Sequence, residues 1–354
     1  MITFALGLFV LIGMVGLAVD IGRMYIAKSE SQTFVDSASL AATLELDGTQ
    51  DGLSRARTRV ASNPNRWNFN TSTFSTVTTS FAQSVSGPWE ETPLNATGYR
   101  YARATARIAV PVYFMPTFQS GTAVANTAFI QASPSFTSNV AADSAGGQEL
   151  KTRFKDGLFP FSPYAHNTTA PDFGLAVGQL YTIRWPANPR LNQNTCPGDN
   201  QQAMIDLAEA GGGSERGYIE ETSADVIRKA IVGDYQTIWR GVGDSVIMTG
   251  GAKQAQLTEL INRINMDWNT SSPNYASYVA TGTGNGRRMI GVPINTGHPN
   301  YTVVQIAAFF LQKADTYENG GNKPWCAEYV GAWVQGSSHR GAGDPGSYVV
   351  RLVK

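Results

Sequence analysis

Cys326 is the residue of this chain best suited to covalent chemistry, because a thiolate is a strong nucleophile. It stands in the segment WCAEYVGAW, directly after an aromatic residue. If Cys326 opened a helix, a histidine brought beside it could act as its base. The downstream histidine is His339, in the glycine-rich segment SSHRGAGDPG. This spacing is short for a base that must arrive on a separate strand, and it argues against a Cys–His pair.

Cys196 offers Cys326 a different role. These are the only two cysteines in the chain, and neither belongs to a C-x-x-C pair. Two widely separated cysteines in an exported chain favour a disulfide. Closing a loop of this length would contribute about 4–5 kcal/mol in the chain-entropy model. The alternative is two free buried thiols. With only three histidines in the chain, a zinc site is not expected.

Two further groups of residues could bind ions. Asp199 and Asp344 lie in the turn sequences CPGDN and GDPG and could offer carboxylates to Ca²⁺, but no EF-hand-like ligand spacing is present. Arg287 and Arg288 follow the glycines of TGTGNG and could bind an anion. Those glycines precede a strand instead of joining a strand to a helix, so they do not form a nucleotide-binding signature. The alternative is that all four residues are charges in surface turns. We expect no catalytic residue, no metal ion and no cofactor.

Residues 1–19 contain no charge and are long enough to span a membrane. The helical pattern continues without proline as far as Pro64, so we predict one helix over residues 1–46, with Gly48 as its stop. At about 1.5 Å per residue the helix would be roughly 70 Å long, and its amphipathic second half would project beyond the membrane to cover a sheet. The residues predicted to contact lipid or a filament core are Phe4, Leu6, Leu8, Phe9, Leu11, Ile12, Met14, Val15 and Leu17.

Glycines and charges near this stretch bear on packing and orientation. Gly7, Gly13 and Gly16 would let neighbouring helices approach closely, although apolar helices also simply tolerate glycine. Arg23 and Lys28 follow the stretch, and the positive-inside rule read literally would place the C-terminal part in the cytoplasm. The cysteines and the Asn-x-Ser/Thr sequons indicate export instead. We therefore expect a cleaved basic leader, with Met1 as the mature N-terminus.

The composition argues against several classes of function. Charged residues make up 15% of the chain, below the roughly 25% usual for soluble globular proteins. Lys+Arg and Asp+Glu both number 27, so the net charge is zero. Without a basic excess, nucleic acid is not an expected partner. A weakly charged surface opposes self-association little and suits an extracellular structural protein better than a cytosolic enzyme.

Beyond the long helix the sequence predicts an α+β fold. Residues 52–62 are expected to form a short helix, and residues 72–85, 99–114 and 122–133 to form strands. A long hydrophobic helix packed on an antiparallel sheet is one of the layer arrangements of this class. The small, polar stretch at residues 133–151 is predicted as a linker.

We therefore divide the chain into three parts. Residues 1–48 form a transmembrane or assembly helix, residues 49–140 a short helix and an antiparallel sheet, and residues 141–354 a larger, mostly β, surface-exposed domain. In the last part we predict strands at 175–185, 245–249, 289–294, 303–311, 329–335 and 348–353, and helices at 201–210, 223–232 and 253–267.

The segment GLAVDIGRMYIAKSESQTFVDSASLAAT resembles the N-terminal signature of TadE/TadG-like proteins of tight-adherence (Flp-type) pilus systems. That signature is an apolar helix, then Asp-x-Gly-Arg, then an Ala-rich run, and here its places hold Asp20, Gly22, Arg23 and residues 34–42. The resemblance implies a role in pilus assembly, as a minor pilin or an envelope-anchored accessory protein. It covers residues 1–46 well and extends more weakly through NRWNF to about residue 135. Ala5 stands where many pilins have Glu, and the metal motif of von Willebrand A domains is absent, so neither feature is carried over.

Three functions stay open. We predict a structural, self-assembling subunit of an extracellular filament, adhesive at the cell surface, and not an enzyme. Its partners would be copies of itself, the inner membrane before assembly and other pilus subunits. The second hypothesis is an inner-membrane-anchored periplasmic accessory protein. The third is a Cys-dependent cell-wall hydrolase similar to papain-like amidases, using Cys326.

Overall fold

The first and longest element is a single helix. The computed structural model describes residues 2–114, 137–155, 157–211, 215–219, 223–233, 240–250 and 256–353. Helix α1, Ile2–Leu44, has 43 residues and contains both the apolar stretch and the amphipathic segment that follows it. The predicted continuous helix is therefore confirmed. Gly48, just beyond its end, has a φ of +80°, a left-handed conformation that glycine adopts without steric cost.

A short helix and a small hairpin follow α1. Helix α2, Gln50–Ser62, begins where the Thr49 side chain accepts a hydrogen bond from the backbone N–H of Gly52 at 3.0 Å. This is the usual way in which an N-cap residue satisfies a free helical N–H group. Strands β1, Arg66–Trp67, and β2, Ser72–Thr73, then form an antiparallel pair.

A five-stranded sheet lies against α1. Its strands are β3, Thr76–Ala82, β4, Tyr101–Pro111, β5, Thr137–Leu150, β14, Trp333–Val334, and β15, Ser347–Leu352. Their order across the sheet is β14-β15-β5-β4-β3, and only the β14–β15 pair is parallel. The last strand of the described chain therefore returns to the sheet that covers the first helix.

Strand β5 corrects the predicted linker. The stretch at residues 133–151 contains this 14-residue strand, which pairs with β4 on one side and β15 on the other. The linker prediction was wrong because the small, polar residues of this strand are suited to a close contact with α1 and not to flexibility. The boundary predicted at residue 140 falls inside β5. The division of the chain into three parts stays a prediction. The strand predicted at 122–133 lies outside the described residues.

Small residues form the contact between α1 and the sheet. Along α1 the buried positions recur at helical spacing, and they face a row of alanines on β4. Two larger side chains, Phe34 and Val35, fill the space beside them, and full burial of such a side chain contributes about 1.5–3 kcal/mol. The small buried residues of the two elements are Ala27, Ser31, Ala38, Ser39, Ala42 and Thr43 on α1 and Ala102, Ala104 and Ala106 on β4.

A second, four-stranded antiparallel sheet organises the C-terminal region. Its order is β11-β12-β13-β7, with β7, Leu180–Arg184, β11, Met289–Asn295, β12, Val303–Leu311, and β13, Trp325–Gly331. Both faces of β12 are buried, because Phe309 lies in one hydrophobic core and Phe310 in another. A long helix on one sheet, followed by a larger β-rich region, confirms the predicted α+β class.

Smaller elements complete this region. The helices are α3, Gln201–Glu209, α4, Ala224–Val232, α5, Gln256–Asn265, and α6, Tyr275–Thr281, and a 3-10 turn covers Ala314–Thr316. Short strand pairs join β6, Arg153–Phe154, to β9, Arg240–Gly241, and β8, Glu215–Ile219, to β10, Met248–Gly250. The strands and helices predicted for this region each overlap an observed element, whereas α6, β6, β8 and β9 were not predicted.

Candidate functional site

The two halves of α1 differ in their surroundings. In the first half, apolar side chains project into open space: Phe4 is 78% exposed and Met14 is 69% exposed. In the second half, Ala27, Val35 and Ala38 are fully buried against the sheet. Exposed contiguous apolar surface of this kind marks a contact with lipid or protein. We call residues 2–19 of α1 the apolar rod.

The sequence-predicted contact residues all lie on this rod. Leu8, Leu11, Ile12 and Val15 are exposed in the same way as Phe4 and Met14, and Leu17 is half-buried. The side chains of Leu6 and Phe9 lie outside the described part of the chain. Within the described residues, α1 is the one helix long and apolar enough to cross a membrane.

Asp20 joins the rod to the sheet. Although it follows an apolar stretch, its side chain is fully buried, and its carboxylate accepts hydrogen bonds from two backbone N–H groups just beyond β4. These come from Tyr113 at 3.0 Å and Phe114 at 2.7 Å. Hydrogen bonds to a charged acceptor are among the stronger ones in proteins. The carboxylate therefore fixes the end of β4 to one turn of α1.

The neighbouring signature residues contribute differently. The Arg23 guanidinium lies over the Tyr113 ring, 4.9 Å from its centroid, which is a cation–π geometry. Gly22 has open space where a Cβ would point. Asp20 and Arg23 therefore both hold the end of β4, whereas Gly22 leaves a bare patch on the outer surface of the helix.

Phe114 packs on Gly16, one of the glycines predicted to allow close contacts between helices. A Cβ added at Gly16 would lie 2.5 Å from the Cγ atom of Phe114, so the aromatic ring rests directly on the helix backbone. The helix surface at Gly16 is therefore covered by a side chain of the same protein. Gly7 has nothing within 4 Å of its Cβ position and is available to another helix or to lipid.

A strained loop is fixed to α1 at Glu30, about three helical turns beyond Asp20. The Glu30 carboxylate accepts hydrogen bonds from the backbone N–H groups of Asn68 and Phe69. Asn68, Phe69 and Asn70 all have positive φ values, which non-glycine residues adopt only at an energetic cost. The loop holds the Phe69 side chain 77% exposed. Glu30 thus offsets strain in a loop that presents an aromatic ring beside α1.

The sheet approaches α1 most closely at Gly146. A Cβ at this position would lie 2.6 Å from the Thr43 hydroxyl oxygen and 2.9 Å from the Ser39 carbonyl oxygen. Next to it, the buried Gln148 amide donates to the carbonyl oxygens of Thr43 at 3.0 Å and Leu46 at 2.8 Å. The last carbonyl groups of a helix have no partner within the helix, so Gln148 acts as a cap supplied by the sheet.

A charged cluster closes the far end of α1. Glu45 lies 3.4 Å from Arg55, 3.0 Å from Arg59 and 3.4 Å from the Nδ1 atom of His339. Burial, and then the positive charge of Arg55, lower the pKa of His339. The Ser337 hydroxyl in the same loop donates to the Leu44 carbonyl at 3.0 Å. The loop after β14 is thus docked onto the helix end.

The cysteines form the disulfide that was one of the two alternatives. Cys196 and Cys326 are bonded, with Cα atoms 5.8 Å apart, so Cys326 has no free thiol in this structure. It lies on β13 and not at the start of a helix, which corrects the local structure that the nucleophile hypothesis required. His339 lies against Glu45.

The residues considered for ion binding have other contacts. Asp199 accepts hydrogen bonds from the backbone N–H groups of Thr182 and Cys196, whereas Asp344 is exposed and lies 3.7 Å from Arg100. Arg288 is buried, and its guanidinium donates to the carbonyl oxygens of Leu311, Asn269 and Ser272. Among the described residues, no cluster of three His, Cys, Asp or Glu side chains could hold a metal ion.

Comparison with known proteins bears on residues 1–50. They match the family described as "Tad: Putative Flp pilus-assembly TadE/G-like". No curated protein and no solved structure matches the chain. The match covers the apolar rod, Asp20, Arg23 and the helix end at Leu44, whereas Tyr113 and Phe114, which Asp20 and Arg23 contact, lie outside it. The first 50 residues of this chain are therefore similar to TadE/G-like, Flp pilus-assembly proteins, as the resemblance in the sequence predicted.

Proposed function

We propose that this protein is a structural, pilin-like subunit of a bacterial extracellular filament. The observation that carries this proposal is the division of α1 into an exposed apolar rod and a second half that is packed on an antiparallel sheet. Before assembly, the rod holds the protein in the inner membrane. In the filament, the rods of many copies pack together and the outer regions face the surroundings, where they adhere to surfaces.

The energetics of this transfer are favourable. A rod that leaves lipid for a core of sister helices exchanges one apolar environment for another, so little hydrophobic free energy is lost. The same rod exposed to water would cost about 25 cal/mol for each Å² of apolar surface. The Asp20 contacts with Tyr113 and Phe114 hold the sheet at a fixed place along the rod, which favours a repeating arrangement of copies.

An inner-membrane-anchored accessory protein of a pilus system is the second candidate. The same TadE/G-like match and the same rod support it, because a rod that stays in lipid needs no sister helices. In that role the C-terminal region would work in the periplasm. The bonded state of Cys326 argues against a Cys-dependent hydrolase.

Crosslinking through the rod distinguishes the two candidates. The chain has two cysteines and both are bonded, so Leu11→Cys would introduce a single free thiol on an exposed rod position. In a filament, mild oxidation should link rods into dimers that copurify with fibres seen by electron microscopy.

Leu94→Cys is the matched control, because this side chain is fully exposed and lies outside α1. Filaments crosslinked through Leu11→Cys and not through Leu94→Cys would support the subunit role. Monodisperse particles without fibres or rod crosslinks would contradict it and favour the accessory role.

A further inference from the structure

A cavity of about 400 Å³ lies in the C-terminal region, away from α1. It opens between the first residues after β11, the start of α3 and the loop that precedes β7. This volume is within the range of small-molecule sites. Its lining residues are Ala165, His166, Asn167, Thr168, Phe173, Gln202, Asp206, Thr296 and Val304.

His166 is the first of two buried polar side chains in this cavity. It is only 9% exposed, and its ring packs edge-on against Tyr181, with the centroids 5.1 Å apart. Within the part of the chain that the structure describes, its ring nitrogens have no hydrogen-bond partner. Burial lowers the pKa of His166 to about 4, so the imidazole is neutral at physiological pH. A neutral imidazole offers one donor and one acceptor.

Asp206 is the second buried polar side chain in this cavity. It is 7% exposed, and one carboxylate oxygen accepts a hydrogen bond from the Gln202 amide at 2.9 Å. Burial is the main cause that raises the pKa of this carboxyl group. The backbone at Gly297 approaches it so closely that a Cβ there would lie 2.9 Å from the carboxyl group. Buried polar groups normally have hydrogen-bond partners. The ring nitrogens of His166 and the carboxylate of Asp206 can therefore still form hydrogen bonds with a ligand in the cavity.

We propose that this cavity binds a neutral saccharide unit. Imidazole, carboxylate, amide and the hydroxyls of Thr168 and Thr296 match a ligand that carries several hydroxyl groups, each able to donate and accept. The Phe173 ring and Val304 provide an apolar wall for the C–H face of a sugar ring.

Other ligand classes fit this lining less well. The Asp206 carboxylate repels anions, and among the described residues that line the cavity there is no Lys or Arg to offset its charge. A metal ion would lack ligands, because the described lining offers one carboxylate and one imidazole. The described residues also contain no cluster of three His, Cys, Asp or Glu side chains. A purely apolar ligand would leave both buried polar groups unsatisfied, at a cost of about 1–3 kcal/mol each.

The test is saccharide binding by the full chain in a detergent without a sugar headgroup. Glucose, galactose, mannose and N-acetylglucosamine are the probes, and saturation-transfer NMR and calorimetry are the readouts. Binding of at least one probe is expected, weakened about tenfold or more by Asp206→Asn and by Gln202→Ala. Gln202 is exposed, so its variant is expected to fold even if the Asp206 variant does not.

Asp315→Asn is the control, because this carboxyl group is exposed and lies elsewhere. Equal binding by the Gln202→Ala variant and the native chain would overturn the assignment. So would the failure of every probe to bind at millimolar concentration. The proposal does not rest on filament formation, because the detergent-solubilised chain can bind a saccharide whether or not α1 assembles.

Discussion

The Asp20 carboxylate accepts a hydrogen bond from the backbone nitrogen of Phe114 at 2.7 Å, across 94 positions of sequence. The Phe114 ring in turn rests on Gly16, one helical turn before Asp20. A charged residue at the edge of an apolar stretch is thus fully buried and used by the backbone. This pair fixes where the folded region begins along the helix.

Removing the Asp20 carboxylate should loosen this junction. Asp20→Ala leaves the N–H groups of Tyr113 and Phe114 without this acceptor, so we expect the free energy of unfolding to fall by about 1–3 kcal/mol. Amide hydrogen exchange at Tyr113 and Phe114 should accelerate in the same variant. Asp315→Ala, at an exposed carboxyl group, is the control. Unchanged exchange at both amides would refute the anchoring role.

Two Gly→Ala substitutions should have opposite effects. At Gly146 the new methyl group would lie 2.6 Å from the Thr43 hydroxyl oxygen, so α1 must shift and we expect a loss of about 1–3 kcal/mol in unfolding free energy. At Gly22 nothing lies within 4 Å, so alanine should stabilise the helix by up to about 1 kcal/mol. Denaturation in detergent measures both. A stabilised Gly146→Ala variant would show that the close contact is not native.

The features that could be predicted from the sequence are local. The apolar run, the absence of proline before Pro64 and the small residues after Arg23 specify α1, because helix periodicity needs no distant partner. The strand at Val303–Leu311 has the predicted bounds, since a run of buried β-branched and aromatic residues is a strong strand pattern.

Strand β5 could not be predicted because its composition serves a contact that is remote in sequence. Ala142, Ser144 and Gly146 alternate on the buried side of the strand, and their small size is required by the nearness of α1. Read alone, these residues indicate a linker. The return of β15 to the same sheet is likewise a long-range pairing without a local pattern.

The contact partners of the site residues could not be predicted from the sequence either. Asp20 stood out in the sequence as part of the family signature, but the backbone groups it holds lie more than 90 positions away. His166 and Asp206 carried no sequence pattern at all. A search for polar residues inside otherwise apolar segments would have flagged Asp20, and no comparable signal exists for the cavity.

Loss of the disulfide should weaken the C-terminal region. Cys196 and Cys326 are 130 positions apart, and closing a loop of that length contributes about 4–5 kcal/mol in the chain-entropy model. We expect the double Ala variant to lose stability of this order, measured by chemical denaturation. Non-reducing peptide mapping of the native chain is the companion measurement. Two separate thiol peptides in that map would contradict the bonded state.

Asp199 should make stability depend on pH. Burial raises its pKa to about 6, against hydrogen bonds from Thr182 and Cys196 that lower it. The folded state therefore holds the Asp199 proton more tightly than the unfolded state does. Protonation of Asp199 thus adds to the free energy of unfolding. This contribution is complete below the ordinary Asp pKa of about 4 and is lost as pH rises through about 6. Asn cannot ionise, so Asp199→Asn should lack this component.

The measurement for Asp199 is the difference in unfolding free energy between native chain and variant at several pH values. The native chain should lose stability relative to the variant between about pH 4 and pH 6, by an amount on the order of 2 kcal/mol. Taking the difference removes the contributions of His166 and His339, which titrate in both proteins. Parallel curves across this range would contradict the raised pKa.

A charge placed on the apolar rod should block its incorporation. Met14 is 69% exposed, and a lysine at a depth where only hydrocarbon or sister helices surround it costs about 2.5–3.5 kcal/mol on insertion scales. We expect Met14→Lys to reduce the membrane-bound and filament fractions strongly in cell fractionation. Tyr25→Lys is the matched control, because Tyr25 is equally exposed but lies beyond Asp20, at the level of Arg23 and Lys28. If both variants entered the membrane and filament fractions to the same extent as the native chain, the rod would have no apolar partner. Its role in anchoring and assembly would then be refuted.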